Sequence, residues 1–256
     1  MSHRVKLFGI EIDAVRMDEA VEQVLSWKRN PGRSCRYVVT PNVDHTVLLQ
    51  ANEGLREAYR NAAMILADGH PVVWASRLLR RPLPARVPGS DLVPNLFRSS
   101  KGYRSLRIFL LGAAPGVAMR AATNIELRWP SVRVVGTYSP PLGFENNEHE
   151  NHRILEMIAE AKPDVLVVGL GAPKQELWVS KYQKQIQAPI ALCVGATIDF
   201  LAGEKKRAPV WLQRIGMEWV HRVLSEPKRL VKRYARDAWI FPQLVWSELR
   251  STPTRA

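Results

Sequence analysis

The sequence predicts an α/β fold: a Rossmann-like, mostly parallel sheet with helices on both faces, followed by a basic helical C-terminal appendage. Two observations predict the sheet. Short apolar, β-branched segments alternate with helix-like segments through the first 203 residues. The strand-like segments are also continuously apolar, the pattern of strands covered on both faces. A third observation marks the appendage: between residues 205 and 250, eleven Lys/Arg stand against four acids, with four of the chain's eight Trp. The expected organisation is residues 1–203 as the α/β domain and 204–256 as a Trp-rich basic appendage.

Residues 36–40 (RYVVT) form a short β-branched strand, broken by Pro41-Asn42 before a helix that begins near Asp44. Residues 64–67 (MILA) read as a buried strand that ends at Asp68-Gly69. A strand over 106–112, a helix over 115–129 and a strand over 132–136 follow, then strands over 164–169 and 190–195 flanking a helix over 174–184. Ligands of such sheets gather beyond the carboxyl ends of the strands.

Composition excludes several classes. With 46% hydrophobic and 24% charged residues, the chain is an ordinary globular protein, neither disordered nor fibrous. Its longest apolar run, 189–198, falls well short of the roughly 18 residues of a membrane span. The apolar stretch at residues 7–10 is too short for a secretory signal, so a cytosolic protein is expected. Cys35 and Cys193 both fall in apolar strand-like runs and read as buried, reduced thiols. The net charge of +13 attracts nucleic acid, anionic lipid or phosphate-bearing substrates without choosing among them.

Chemistry is expected in the strand-end loops. Asp68 follows an apolar strand and suits a base in a cleft, although Asp-Gly is also ordinary turn chemistry. Two glycine-rich turns fail a dinucleotide fingerprint: Gly112-Ala-Ala-Pro-Gly116 has the wrong spacing, and Gly169-Leu-Gly-Ala-Pro-Lys174 has Lys where a helix-packing Gly or Ala belongs. His149 and His152 sit among carboxylates, where a solvated helix start explains them as well as a metal does. No Asp-x-Asp occurs, so the paired carboxylates that hold a divalent metal on a nucleotide-sugar diphosphate are missing. A diphosphate leaving group would need cationic side chains instead.

The appendage supplies cations. At about 100° per residue, Lys228, Arg229, Lys232, Arg233 and Arg236 span an arc of about 140°. Leu230, Val231, Tyr234, Ala238 and Phe241 occupy the opposite arc, and Pro242 is expected to stop the helix. Helices of this kind lie on anionic membrane surfaces or pack on partners.

In order, Thr40-Pro-Asn42, Leu66-Ala-Asp-Gly69, Pro84-Ala-Arg-Val-Pro-Gly-Ser-Asp91, Gly169-Leu-Gly-Ala-Pro-Lys-Gln-Glu176, Gly195-Ala-Thr-Ile-Asp-Phe200, Ala208-Pro-Val-Trp-Leu212, Glu218-Trp219 and Arg222-Val-Leu-Ser-Glu-Pro-Lys-Arg229 resemble the WecG/TagA/CpsF glycosyltransferases, glycosyltransferase family 26. The resemblance spans about residues 5–236 and fades beyond Arg236. It implies an inverting, cofactor-independent enzyme that moves a sugar from a UDP-sugar to a polyprenyl-diphosphate-linked saccharide in bacterial surface-polymer synthesis. It leaves the sugar open among N-acetylmannosamine, its uronic acid, glucose or another hexose. By this resemblance Asp68 is the catalytic base, and Thr40, Asn42, Arg86 and Gln175 line its pocket. Asp199 lies near the nucleotide, and Arg222 and Arg229 bind the diphosphate. Lys232 stands where a further arginine is expected, which leaves Lys232 or Arg233 as the third contact.

The resemblance also implies a peripheral site on the inner face of the cell membrane, with no role for nucleic acid; it leaves the oligomeric state open, since members of the family can self-associate as homo-oligomers. Lys228, Arg236, Trp239 and the apolar arc of the tail are assigned to the membrane. Competing classes are a nucleotide-dependent oxidoreductase, disfavoured by the failed glycine fingerprints, and a non-catalytic module binding anionic lipid or nucleic acid. The missing Asp-x-Asp generates a prediction: EDTA leaves the rate of UDP release essentially unchanged. A strict requirement for added Mg²⁺ or Mn²⁺ in that assay overturns it.

Overall fold

The computed structural model describes residues 3–102 and 105–251, with the side chains of Arg214, Arg229 and Ser251 outside the described set. A hairpin opens the chain, β1 (Arg4–Leu7) pairing antiparallel with β2 (Ile10–Asp13). Its turn residues Phe8 and Gly9 both have positive φ, 52° and 81°, the backbone sense that matches the twist of a two-residue hairpin. Asp13 at its end is buried and accepts the Ile65 N–H at 2.9 Å, which ties the hairpin to the sheet.

The main sheet comprises β3 (Arg36–Val39), β4 (Met64–Ile65), β5 (Leu106–Gly112), β6 (Val132–Tyr138), β7 (Val165–Gly169) and β8 (Ile190–Cys193). Its order is β4-β3-β8-β7-β5-β6, with every pair parallel. The helices are α1 (Met17–Arg29), α2 (Val43–Ala51), α3 (Glu53–Arg60), α4 (His70–Leu78), α5 (Gly89–Ser99), α6 (Val117–Arg128), α7 (Glu148–Ala161), α8 (Lys174–Tyr182), α9 (Thr197–Ala202), α10 (Val210–Arg214), α11 (Glu218–Ser225) and α12 (Pro227–Ser251).

The α/β expectation holds, for the reason the strands advertise. Alternate residues enter two apolar layers. Val38, Ile108, Leu110, Val167 and Leu192 pack with α1, α5, α6 and α9 on one face. Tyr37, Phe109, Leu111, Leu166 and Val168 pack with α3, α7 and α8 on the other. The glycine-rich strand ends serve packing. A Cβ at Gly112, whose φ is +116°, would lie 2.5 Å from the Gly169 carbonyl oxygen, and one at Gly169 would lie 2.9 Å from that of Gly195. These glycines let β5, β7 and β8 end side by side. Both cysteines are free and buried, and burial pushes the Cys35 thiol up to about 12.

The tail departs from its sequence reading in two ways. Pro242 does not stop α12, which continues to Ser251. The turns beyond it are anchored: Phe241, Leu244 and Val245 pack on the core, Phe241 lies 5.3 Å from the Phe8 ring, and Glu248 accepts the Phe8 N–H at 2.7 Å. These contacts outweigh the lost helical hydrogen bond. Part of the apolar arc faces inward, with Leu230 fully buried and Tyr234, Ala238 and Phe241 lining a cavity, while Val231 and Ala238 keep exposed surface. That part of the arc is a core-facing stripe.

The glycine stack generates a prediction for stability. Gly112→Ala meets a backbone oxygen that cannot swing away and adopts a φ that L-residues avoid, so it should destabilise the fold by about 2 kcal/mol or more. Urea denaturation monitored by circular dichroism measures it; an unchanged midpoint refutes the packing role.

Candidate active site

A cavity of about 570 Å³ opens at the carboxyl ends of β3, β4, β7 and β8, within the size range of ligand sites. It lies at the switch point of the sheet, where β3 and β4 run outward on one side and β7, β5 and β6 on the other. The core contributes Thr40, Asn42, Asp68, Arg86, Gln175 and Asp199, and the appendage contributes Glu218, Trp219, Arg222, Arg233 and Tyr234. A second groove, lined by Pro242, Gln243, Trp246, Ser247 and Arg250, is formed by α12 alone.

Local structure explains each placement. The Asp68 N–H donates to the Pro41 carbonyl at 2.8 Å, which fixes the two strand-end loops together. Gly69, with φ +106°, then turns the chain into α4, and Pro71 occupies its first turn. Asp68 is therefore both part of a turn and aimed into the cleft. Asn42 caps α2, its Oδ1 accepting the His45 N–H at 3.3 Å. The Thr40 hydroxyl donates to the Cys193 carbonyl at 3.3 Å, next to the β8 loop. Gln175 is largely spoken for: its Oε1 accepts the Gly195 N–H at 3.1 Å and its Nε2 donates to Glu176 at 2.7 Å. Its amide joins the loops after β7 and β8.

Electrostatics set the carboxylate apart. Burial pushes Asp68 up to about 6; Glu218 adds to the rise, while Arg86, Arg222 and His45 hold it back. His45 is buried, with Nδ1 2.9 Å from Asn42 Oδ1 and Nε2 3.4 Å from Glu176 Oε1. Burial alone would lower its pKa, but Glu176, Asp44 and Asp68 outweigh it and the net shift is upward. The opposite wall is cationic. Arg86 is held by Glu218 at 3.1 Å, Arg233 by Asp44 at 3.4 Å, and Lys205 by Glu226 at 3.2 Å. Among the described residues, no carboxylate pairs with Arg222, which leaves its guanidinium available to an incoming anion.

The tail cations divide differently from the sequence expectation. Arg233 lines the cavity, whereas Lys232 is exposed and is not among the lining residues. The Arg229 side chain lies outside the described residues. Arg236 turns its guanidinium toward the core, bonding Asp44 and pairing with Asp237 at 3.0 Å, while 41% of its side chain stays exposed. A buried carboxylate, Asp44, draws it inward. Lys228 and Trp239 are exposed. His152 lies on the surface of α7 beside Glu156 at 3.2 Å. Among the described residues, no three His, Cys, Asp or Glu side chains are grouped to hold a metal ion.

Residues 5–255 match the model of the glycosyl transferase WecG/TagA/CpsF family. The chain belongs to that family. It is a glycosyltransferase, and the family match sets aside the oxidoreductase reading. The match runs through the whole of α12, so the fading of the resemblance beyond Arg236 is corrected: the divergent stretch is part of the family fold. The chain is 30% identical over 227 residues to N-acetylglucosaminyldiphosphoundecaprenol N-acetyl-beta-D-mannosaminyltransferases of Staphylococcus aureus strains MW2 and NCTC 8325 / PS 47, covering 89% of this chain and 87% of each relative. Sequence reasoning missed His45, Asp44 and Glu218 as site residues. The first two are masked within an ordinary helix start, but Glu218 sits in the Glu218-Trp219 motif and was open to notice.

The raised Asp68 pKa has a consequence for stability. A carboxyl whose folded pKa lies above its ordinary 3.8 holds its proton more tightly when folded. Its contribution therefore falls as pH rises from about 4 through about 6, and the ionised form opposes folding above that. Asp68→Asn should raise stability at pH 8 by about 1–3 kcal/mol, with the gain shrinking below pH 5. Thermal melts of both proteins across that range test it, and equal melting temperatures at pH 8 refute it.

Proposed function

We propose that this enzyme transfers an N-acetylmannosamine-type sugar from a UDP-sugar to N-acetylglucosaminyl-diphosphoundecaprenol, with inversion and without a metal ion. The observation that carries the reading is the pairing, in one cavity, of an Asp68 carboxyl poised near neutrality with an Arg222 that has no carboxylate partner. The relatives' name supplies the sugar and the acceptor.

In this mechanism the Asp68 carboxylate takes the proton from the acceptor hydroxyl as its oxygen attacks the anomeric carbon. The bond from that carbon to the β-phosphate oxygen breaks, and UDP departs with the electron pair. Negative charge that develops on the diphosphate meets Arg222, with Arg233, Arg86 and Lys205 raising the local potential. Arg229 is assigned to the same diphosphate. Thr40 and Asn42 line the cavity with the base, Asp199 is assigned to the nucleotide, and Gln175 joins the loops after β7 and β8.

The acceptor is lipid-linked, so the cavity must meet a bilayer. Among the described residues, no helix is long and apolar enough to cross a membrane. Instead Trp211, Trp239 and Trp246 are 63%, 75% and 58% exposed, an arrangement suited to the interface, where aromatic rings are favoured. With the exposed Lys228 and Lys232 they support peripheral association with the anionic inner face of the membrane.

Asp68→Asn should cut turnover by about 10²–10⁴ while retaining UDP-sugar binding. For the wild-type enzyme, kcat/KM should fall about tenfold per unit as pH drops below about 6, because protonated Asp68 cannot accept the acceptor's proton. A UDP-release assay with a short-chain lipid-diphosphate acceptor decides both; wild-type turnover in folded Asp68→Asn removes it from the mechanism.

A further inference from the structure

Helix α11 carries Arg222 to the cavity, yet none of its residues is buried. An apolar stripe cannot be what holds it there. It packs beside α12, with Trp219 6.0 Å from the Tyr234 ring, and its entry loop rests Gly216 against His70 and Trp74. Neither contact buries a residue of the helix.

Glu218 stands one helical turn before Arg222, so both project from the same face. Its Oε2 accepts from Arg86 Nη1 at 3.1 Å, and its Oε1 lies 3.5 Å from Arg207 Nη2. Asp91, in the first turn of α5, completes the network, bonding Arg207 and lying 3.6 Å from Arg86. The Glu218 side chain is only 19% exposed and that of Arg86 16%, so the charges are largely withdrawn from solvent and each depends on the others for compensation. Glu218 is the sole carboxylate within α11; Glu226, at its C-terminal end, pairs with Lys205 at 3.2 Å, away from the Arg86–Arg207 pair.

We propose that Glu218 is a positioning residue: by bridging Arg86 and Arg207 it clamps α11 onto the core and so delivers Arg222 to the side of the cavity facing Asp68. The proposal rests on the assignment of Arg222 to the leaving diphosphate. Arg86 is thereby oriented from the appendage as well as from the core, and the site is assembled only when α11 is docked. Loss of the carboxylate leaves Arg86 and Arg207 to share Asp91 alone and removes their link to α11, which has no buried residue of its own to hold it.

The test uses the full chain with Glu218→Gln, Arg207→Gln, Arg222→Ala and the double variant Glu218→Gln/Arg222→Ala. Hydrogen exchange of the backbone amides of residues 219–226 reads docking, and UDP release reads turnover. Glu218→Gln and Arg207→Gln should each accelerate exchange at least tenfold and lower kcat/KM at least tenfold, with circular dichroism unchanged. Arg222→Ala should lower turnover with exchange as in the wild type. Because Glu218 acts through Arg222, the double variant should match Arg222→Ala within about threefold. Unchanged exchange in both Glu218→Gln and Arg207→Gln overturns the clamp, whatever Arg222 does. Effects that multiply in the double variant show that Glu218 does not act through Arg222 and overturn the positioning role. Wild-type turnover in Arg222→Ala instead defeats the assignment of Arg222, while exchange still judges the docking.

Discussion

The structure turns on the buried carboxylate of Asp44. It sits in the first turn of α2, at the edge of the cavity, and receives both Arg233 and Arg236 from α12. A carboxylate so withdrawn from water is tolerated only if cations meet it, and here they come from a helix nearly two hundred residues further along the chain. That pairing lays α12 across the core, with Leu230 and Phe241 beneath it and Glu248 reaching the hairpin turn. The cavity gains its second wall as a result.

Closing that wall explains the electrostatics of the site. Asp68, partly screened from water at the cavity wall, is pushed up to about 6 by desolvation, while a set of arginines and a lysine lines the same cavity. Every lining cation except Arg222 is tethered to a carboxylate of the protein. The tethers hold the cations in place before any substrate arrives, which is what preorganised charge stabilisation requires. A base that is hard to ionise and a free guanidinium are opposite electrostatic demands, and the cavity meets them on opposite walls.

The appendage is accordingly two structures in one. Helix α12 is core-packed through much of its length, whereas α10 and α11 expose Trp211, Ile215 and Leu224 and bury little. Low anchoring lets such elements move at small cost. Specific charge contacts at both ends of α11, Glu218 with Arg86 and Glu226 with Lys205, then decide its docked position.

The sequence by itself determined the sheet. Continuous apolar strands such as 106–112 and 165–169 can be satisfied only with helices on both faces, and the strand-end loops with Asp68 and Thr40-Pro-Asn42 follow from that topology. The family was equally legible, because its motifs lie in those loops. Tertiary structure alone decided the orientation of the tail. A helical wheel separates a basic arc from an apolar one but cannot say which faces water, and Asp44, which pulls Arg233 and Arg236 inward, is invisible to any local pattern. The same holds for Pro242, read as a stop because its local cost is known, while the distant contacts of Leu244, Val245 and Glu248 that carry the helix past it are not. Periodicity reports the local backbone; a charge pair spanning the chain exists only after folding has brought its members together.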